Sequence, residues 1–389
     1  MIYSKNIKKF LVFGSPRIEK PEIREVVACL KSGWIGTGPR VARFEKDFAR
    51  YKGAPHAVAL NSGTAALHLS LLALGVKSGD EVIVPAMTFA ATANAVIHAG
   101  ARPVFADCGR RTMTLDPADV QRRITKHTRA IIPVHFAGRP CDMDELMTLA
   151  HRHRLKVIED CAHAIESEYK GKKCGLIGDI GCFSFYVTKN VITGEGGMIT
   201  TSSQAVADRV KVLALHGMSH DAWARFGDKG YKHYRVVSAG FKYNMTDLQA
   251  SLGIHQLARI EVNARRRAAI WRRYQAAFKD LPVCLPPEPE KRTRHARHLY
   301  TLLVDTDKSP ISRDELMKRL DRRGIGTGVH YTALHLHPFY QRTFGCRPGD
   351  HPASEWVSRS TLSLPLSPKL TDADVRRVIA AVRGSFHRR

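Results

Sequence analysis

Lys189 ends an apolar, strand-like run, Gly181-Cys182-Phe183-Ser184-Phe185-Tyr186-Val187-Thr188, and is followed by glycines at 194, 196 and 197. An amine at the end of a buried strand is costly unless it has a partner or a covalent task, because an unpaired buried ammonium is heavily penalised. The glycines imply backbone that turns tightly, or approaches another group closely, just beyond that amine. One chemistry that wants such a lysine is a Schiff base to an aldehyde cofactor, with pyridoxal phosphate as the leading candidate. A single lysine after a strand is more often a surface residue, so the assignment needs companions elsewhere in the chain.

Pyridoxal phosphate makes three demands on a site: a lysine for the aldehyde, an anion site for the phosphate, and an acid facing the pyridine nitrogen. A carboxylate there keeps the nitrogen protonated, so the ring can accept the electrons released when a Cα–H bond breaks. At about 4 Å and an effective dielectric near 20, such a pair is worth about 4 kcal/mol before desolvation. Asp160, at the end of the buried run Val157-Ile158-Glu159, suits that role. Gly63 and Thr64, with Ser184, suit the phosphate. Alone, Asp160 is more often a strand-end cap, and many strand–helix turns bind nothing. It is the joint occurrence of turn, acid, lysine and glycines that points to the cofactor.

These residues need a scaffold. Ala57-Val58-Ala59-Leu60 is a short strand ending in Asn61-Ser62-Gly63-Thr64, where a helix begins at once. A helix N-terminus offers free amides and the positive dipole end to an anion. Further apolar runs at 82–84, 103–105, 130–134 and 157–158 alternate with helical stretches at 91–99, 117–124 and 144–153. Continuous apolar strands separated by helices predict an α/β fold with a mostly parallel sheet covered on both faces. Ligands gather at the carboxyl ends of such strands, where Asn61 to Thr64, Thr88-Phe89 and Glu159-Asp160 all fall. After a helix at 204–216, residues 217–245 lack periodicity, as functional loops do. Thr246-Asp247-Leu248-Gln249 has capping-box spacing and starts a rod reaching toward Leu281. A strand at 298–304, a helix at 312–323 and a last helix from Thr371 form a smaller α+β unit. The expected division is an N-terminal segment (1–20), a large cofactor-binding domain (21–250) and a small C-terminal domain (251–389).

Length and composition agree with that division. The chain has 389 residues, 44% apolar and 25% charged, which is soluble globular composition and too long for one ordinary core. No charged-then-apolar leader opens it and no apolar run nears the roughly 18 residues a membrane span needs, so a cytoplasmic protein without membrane contact is expected. Eight cysteines without a CxxC pair argue for reduced, buried thiols and against a metal cluster. The net charge of +25 would suit a polyanion. Its arginine runs at 265–267 and 272–273 recur along one predicted helix as a solvated face, and no nucleic-acid-binding signature accompanies them. An anionic small substrate is the expectation.

Five stretches together resemble the DegT/StrS family of sugar aminotransferases. They are Asn61-Ser62-Gly63-Thr64-Ala65-Ala66-Leu67, Val157-Ile158-Glu159-Asp160-Cys161-Ala162-His163-Ala164, and the residues from Phe183 to Gly197, Gly240 to Gln249 and Gly324 to Tyr331. The resemblance runs from about residue 21 to 386. Asp221-Ala222-Trp223 and the Gly324 to His330 stretch look closest to the branch making UDP-4-amino-4-deoxy-L-arabinose. The resemblance implies the type I aminotransferase fold, a homodimer with shared active sites, and amino transfer from glutamate to a nucleotide-linked keto sugar, the 4-keto position first. Such products serve cell-surface glycans, lipopolysaccharide or natural products.

By motif, the resemblance makes Lys189 the Schiff-base lysine and proton shuttle of a ping-pong cycle through pyridoxamine phosphate and 2-oxoglutarate. Asp160 pairs with the pyridine nitrogen, and Gly63, Thr64 and Ser184 hold the phosphate. Phe89 stacks on the ring, His163 sits by the ring hydroxyl or face, and Asn244 reaches the phosphate in the partner subunit. Lys242, His330 and Tyr331 are the candidates for the sugar nucleotide. No metal is implied. Two departures stand out: Cys161 replaces the family's usual alanine, bringing a thiol toward the cofactor, and Phe89 replaces the tryptophan usual in the arabinose branch. The rival readings are a keto-sugar dehydratase on the same fold, in which histidine replaces the lysine, and a non-catalytic regulator binding polyanions.

Overall fold

The computed structural model describes residues 10–219, 234–305 and 307–386. Asp221-Ala222-Trp223 lies outside the described residues. The short apolar runs pair into one sheet. Its members are β1 (His56–Leu60), β2 (Glu81–Pro85), β3 (Arg102–Ala106), β4 (Thr128–Ile131), β5 (Lys156–Asp160), β8 (Ile180–Ser184) and β9 (Gly197–Thr201). The order is β1-β9-β8-β5-β4-β2-β3, and every pairing is parallel except the two made by β9. A small hairpin, β6 (Glu168–Tyr169) and β7 (Lys172–Lys173), lies between β5 and β8 in the chain. β4 is shorter than the apolar run predicts, because Pro133 has no N–H to continue a ladder.

Helices cover the sheet: α1 (Lys20–Lys31), α2 (Pro39–Lys52), α3 (Gly63–Ala73), α4 (Ala90–His98), α5 (Pro117–Arg123), α6 (Met143–His153) and α7 (Gln204–Ala214). α3 is apolar on every side, and every residue from Ala65 to Leu71 is buried, as expected of a helix enclosed by its neighbours. On the other side, Phe44 and Phe48 of α2 pack on Phe183 and Phe185, with ring centroids 5.0–5.6 Å apart for the contacts between the two pairs.

The antiparallel strand β9 places the site's backbone. Gly197 pairs with Leu60 on one side and Ser184 on the other, so the turn after β1 lies beside the end of β8. The fit is tight. A Cβ on residue 197 would come within 2.2 Å of the Ser62 carbonyl oxygen, and one on residue 63 within 2.8 Å of Ser184 Cβ.

The capping box at Thr246 and Gln249 is present, with both reciprocal hydrogen bonds made. The expected single rod is two helices instead, α8 (Asp247–Ala258) and α9 (Ile260–Phe278). They part at Arg259, whose backbone is at φ −102°, ψ 3° and whose guanidinium is paired with the buried Glu22 and donates to the Arg17 carbonyl. The joint is thereby tied to α1 and the segment entering it. The second sheet, β10 (Val283–Cys284), β11 (Tyr300–Val304) and β12 (Thr361–Leu364), is antiparallel. It shares a core with α9, α10 (Arg313–Arg322) and α13 (Asp372–Phe386), built on Trp271, Tyr274, Phe278 and Tyr300. α11 (Pro338–Phe344) and α12 (Pro352–Ser360) fill the connection between α10 and β12. β11 begins at Tyr300, leaving His298 and Leu299 outside the strand predicted for them.

Gly197→Ala should cost about 1–3 kcal/mol, the usual range for overpacking a filled site. Urea unfolding reads this directly, and an unchanged midpoint would show that the contact at Ser62 is not tight.

Candidate active site

The carboxyl ends of β1, β2, β5 and β8 surround a cavity of about 650 Å³, within the roughly 300–1,000 Å³ usual for small-molecule sites. Gly63, Thr64, Phe89, Asp160, His163, Ser184, Lys189, His330 and Tyr331 all line it, so nine residues expected at the site converge there. At the start of α3, Ser62 caps the helix: its Oγ accepts from Ala65 N at 3.1 Å and its carbonyl from Ala66 N at 3.1 Å. The amides of Gly63 and Thr64 have no backbone partner among the described residues and lie beside Ser184, which makes an anion-binding corner.

Asp160 is 5% exposed. Its Oδ2 accepts from Thr92 Oγ1 at 2.9 Å and its Oδ1 from Ala162 N at 3.1 Å, while Thr88 Oγ1 lies 3.0 Å from Thr92 Oγ1. Burial pushes its carboxyl above the ordinary range, against those hydrogen bonds and the charge of Lys189. Lys189 follows a turn closed by its own N–H to the Tyr186 carbonyl at 2.8 Å. Its amine has no hydrogen-bond partner among the described residues, and burial pushes it down to about 8, with Asp160 opposing.

The histidines of the site are neutral. Burial first, then the charge of Lys189, hold His163 well below its usual value and His330 at about 4. His163 Nδ1 accepts from Ala137 N at 3.2 Å, so its Nε2 carries the proton and donates to Tyr331 Oη at 3.2 Å. His330 Nδ1 lies 2.8 Å from Ser363 Oγ. Phe89, at the N-cap of α4, is 60% exposed and its ring lies 5.8 Å from that of Tyr331.

Lys242 and Asn244 do not join this cavity. Lys242 is exposed, and the Asn244 amide donates to Thr37 Oγ1 at 2.6 Å, with its Oδ1 buried and unpartnered among the described residues. Cys161 also corrects the sequence reading. In the turn that follows β5, Asp160 and Ala162 line the cavity while Cys161 is fully buried in a cluster with Phe183 and Phe185 and does not line it. Arg267, expected on a solvated face, is 1% exposed and paired with Glu166. Among the contributors missed, Thr92, three residues beyond Phe89, was within reach of helix geometry; His298 was read only as the start of a strand, and Phe13 and Gly14 come from a segment without motif or periodicity.

The residues present fit pyridoxal phosphate. A buried carboxylate lacks a cationic hydrogen-bond partner, an amine lacks any, and two helix amides beside a serine are open to an anion, all around one cavity. The DegT/DnrJ/EryC1/StrS aminotransferase family matches residues 16–383. The chain belongs to this family. It is 49% identical over 375 residues to the spore coat polysaccharide biosynthesis protein SpsC of Bacillus subtilis, with 96% of each chain covered. Spr1654 of Streptococcus pneumoniae, solved in PLP and PMP forms, superposes with a TM-score of 0.89 at 34% identity. For its PLP form, 97% of this chain and 98% of that one are covered. PseC of Helicobacter pylori, an aminotransferase in pseudoaminic acid biosynthesis, superposes with a TM-score of 0.89 at 27% identity, covering 97% of this chain and 99% of that one. The chain is thus a pyridoxal-phosphate-dependent aminotransferase of type I fold, with pyridoxamine phosphate as the cofactor's second form. Among the described residues no helix is long and apolar enough to cross a membrane.

The depressed Lys189 value has a consequence for stability. Between about pH 8 and 10.5 the folded, cofactor-free chain has released the Lys189 proton while the unfolded chain still binds it. Stability relative to Lys189→Met should therefore rise with pH across that window, as measured by denaturant titration. A constant difference between the two proteins would contradict the depressed value.

Proposed function

We propose that this aminotransferase moves an amino group from glutamate to a nucleotide-linked keto sugar, with the 4-keto position as the first candidate. The observation that carries this reading is the cavity in which the amine of Lys189 and the carboxylate of Asp160 share one enclosed space with the open amides of α3. When bound, pyridoxal phosphate supplies the electron sink for breaking a Cα–H bond and carries the amino group between half-reactions. Lys189 Nζ, neutral in a useful fraction near pH 8, takes and returns the proton. Asp160 holds the pyridine nitrogen in its protonated form, its own position set by Thr92 and Ala162. Gly63, Thr64 and Ser184 bind the phosphate, Phe89 covers the ring, and His163 acts through Tyr331 at the ring's edge.

His330 and Tyr331 face the sugar nucleotide. Asn244 lies outside the chain's own cavity, which supports its assignment to the site of a second copy in a homodimer; Lys242, exposed and also outside the cavity, keeps its place as a candidate for the sugar nucleotide. The division into a large domain over 21–250 and a small one over 251–389 belongs to the same reading, as does a net charge of +25 suited to a diphosphate. SpsC and PseC serve a spore coat polysaccharide and pseudoaminic acid, which supports a sugar acceptor in cell-surface glycan synthesis. The presence of Lys189, where dehydratases on this fold carry histidine, favours transamination.

The purified protein should be yellow, with a band at about 410–430 nm. Borohydride should fix the cofactor to Lys189, and Lys189→Ala should be inactive in turnover. Labelling at another lysine would overturn the assignment. UDP-, dTDP- and GDP-linked keto sugars offered to the pyridoxamine form should restore the band for the true acceptor; no return with any of them would remove the nucleotide-sugar reading.

A further inference from the structure

Lys189 borders a second space besides the main cavity. It measures about 40 Å³ and is lined by residues 187–190, by Asn263 and Arg267 of α9, and by the segments 14–17 and 366–368. Gly14, Thr188, Lys189 and Leu366 line both spaces, so the two adjoin beside Lys189. On its other side the small space shares Ser15, Pro16, Arg17 and Pro368 with a surface hollow that also includes Lys369. Two hydrogen bonds hold the segment 14–17 across the gap. Ser367 Oγ donates to the Ser15 carbonyl at 3.0 Å, and Lys369 Nζ to Ser15 Oγ at 3.1 Å.

The walls of this space carry donors without acceptors. Arg267 and Asn263 are each 1% exposed. Arg267 pairs through Nη2 with Glu166, while its Nε is enclosed and has no partner among the described residues. Asn263 Oδ1 accepts from Arg17 Nη1 at 3.3 Å, which leaves Nδ2 as a donor, again without a partner among the described residues. A buried donor left unpaired is costly, more so on a charged group. A polar space needs only about 10–15 Å³ to admit a water, and a buried water takes two to four such bonds. The cations here already have carboxylates, Arg267 with Glu166 and Arg17 with Glu19, so a neutral acceptor fits better than an anion.

We propose that this space is a hydrated passage, a second way between solvent and the Lys189 end of the active site. This rests on the role given to Lys189 above. The main cavity opens where the exposed Phe89 and Tyr186 line it, and a bound substrate fills that opening and expels its water. The passage is too narrow for a sugar or an amino acid and wide enough for water. A hydrogen taken from the Cα of the amino donor then has two fates at Nζ. It is delivered to the cofactor's C4′, or it exchanges through the passage for a hydrogen of solvent. Asn263 and Arg267 act by holding the water in place.

The test starts from crystals of the cofactor-loaded protein. Ordered water should lie about 2.7–3.2 Å from Arg267 Nε and from Asn263 Nδ2, and crystals grown in bromide should show no anomalous peak there. A dry space, or a bromide peak, would overturn the proposal. Glutamate carrying deuterium at Cα is then given to the loaded protein for one half-reaction, and mass spectrometry reads the deuterium kept at C4′ of the pyridoxamine phosphate. Asn263→Leu fills the passage from within and Ser15→Leu narrows it from the hollow, so each should raise the retained fraction several-fold. Ser15 is only half-buried, which keeps the test open should the first variant fail to fold. Asn263→Ser leaves the space open and should retain no more than the wild type. Full retention in the wild type, or an unchanged fraction in the leucine variants, would overturn the exchange route. If glutamate gives up no amino group at all, the donor assigned above is wrong, and the density at Arg267 decides the passage by itself.

Discussion

The structure depends on bringing a carboxylate and an amine into one enclosed cavity without letting them neutralise each other. Asp160 is given a hydroxyl and an amide rather than a cation, and Lys189 is given no hydrogen-bond partner among the described residues. Both groups then sit away from their ordinary proton affinities in directions that disfavour charge. Such an arrangement is unfavourable alone and is held by the fold around it. The reversed strand β9 supplies much of that hold, because Gly197 brings the end of β1 and the end of β8 against one another and leaves no space between them. Pyridoxal phosphate would complete the arrangement chemically: it would bring a nitrogen for the acid, an aldehyde for the amine and a phosphate for the α3 amides.

The same economy explains why a chain of charge +25 has neutral histidines lining its cavity. Its arginines are used outside the cavity, as with Arg266 and Arg273 on Asp372, or buried against an acid, as with Arg267 on Glu166. His135, Glu159 and Cys161 are close enough together to hold a metal ion. Their donors and acceptors are already spent on the protein. His135 Nδ1 accepts from Cys141 N, its Nε2 faces Glu159, and the Glu159 oxygens accept from Gly175, Ile177 and Gly178. The trio therefore ties the loop after β7 to the back of β5, and Cys161 belongs to that packing rather than to the cofactor.

The strands, the α3 turn, the acid and the lysine were legible in the sequence because each is a local pattern: apolar runs of strand length, a small-residue turn at 61–64, a capping box at Thr246. Apart from the ends of β4 and β11, the wrong readings concern where a side chain points or what lies across from it. Helical spacing from Thr246 onward could not show the break at Arg259, which is fixed by Glu22 more than 200 residues away in the chain. An arginine run looks solvated until Glu166 is brought against one of its members. Cys161 follows Asp160 directly, yet the turn after β5 buries it in the cluster with Phe183 and Phe185 instead of in the cavity lining.

Residue types and their spacing, then, determined by themselves that this chain has a parallel α/β sheet, a phosphate-competent turn, and an acid and a lysine at strand ends, since those properties are set by neighbours in the chain. Tertiary structure decided that they meet in one cavity, that Thr92 and His298 belong there too, and that Lys242 and Asn244 face elsewhere. It also moved the proton affinities of Asp160, Lys189 and the histidines beside them. Burial and the direction of a hydrogen bond arise only when distant segments are packed together, and no local spacing encodes them.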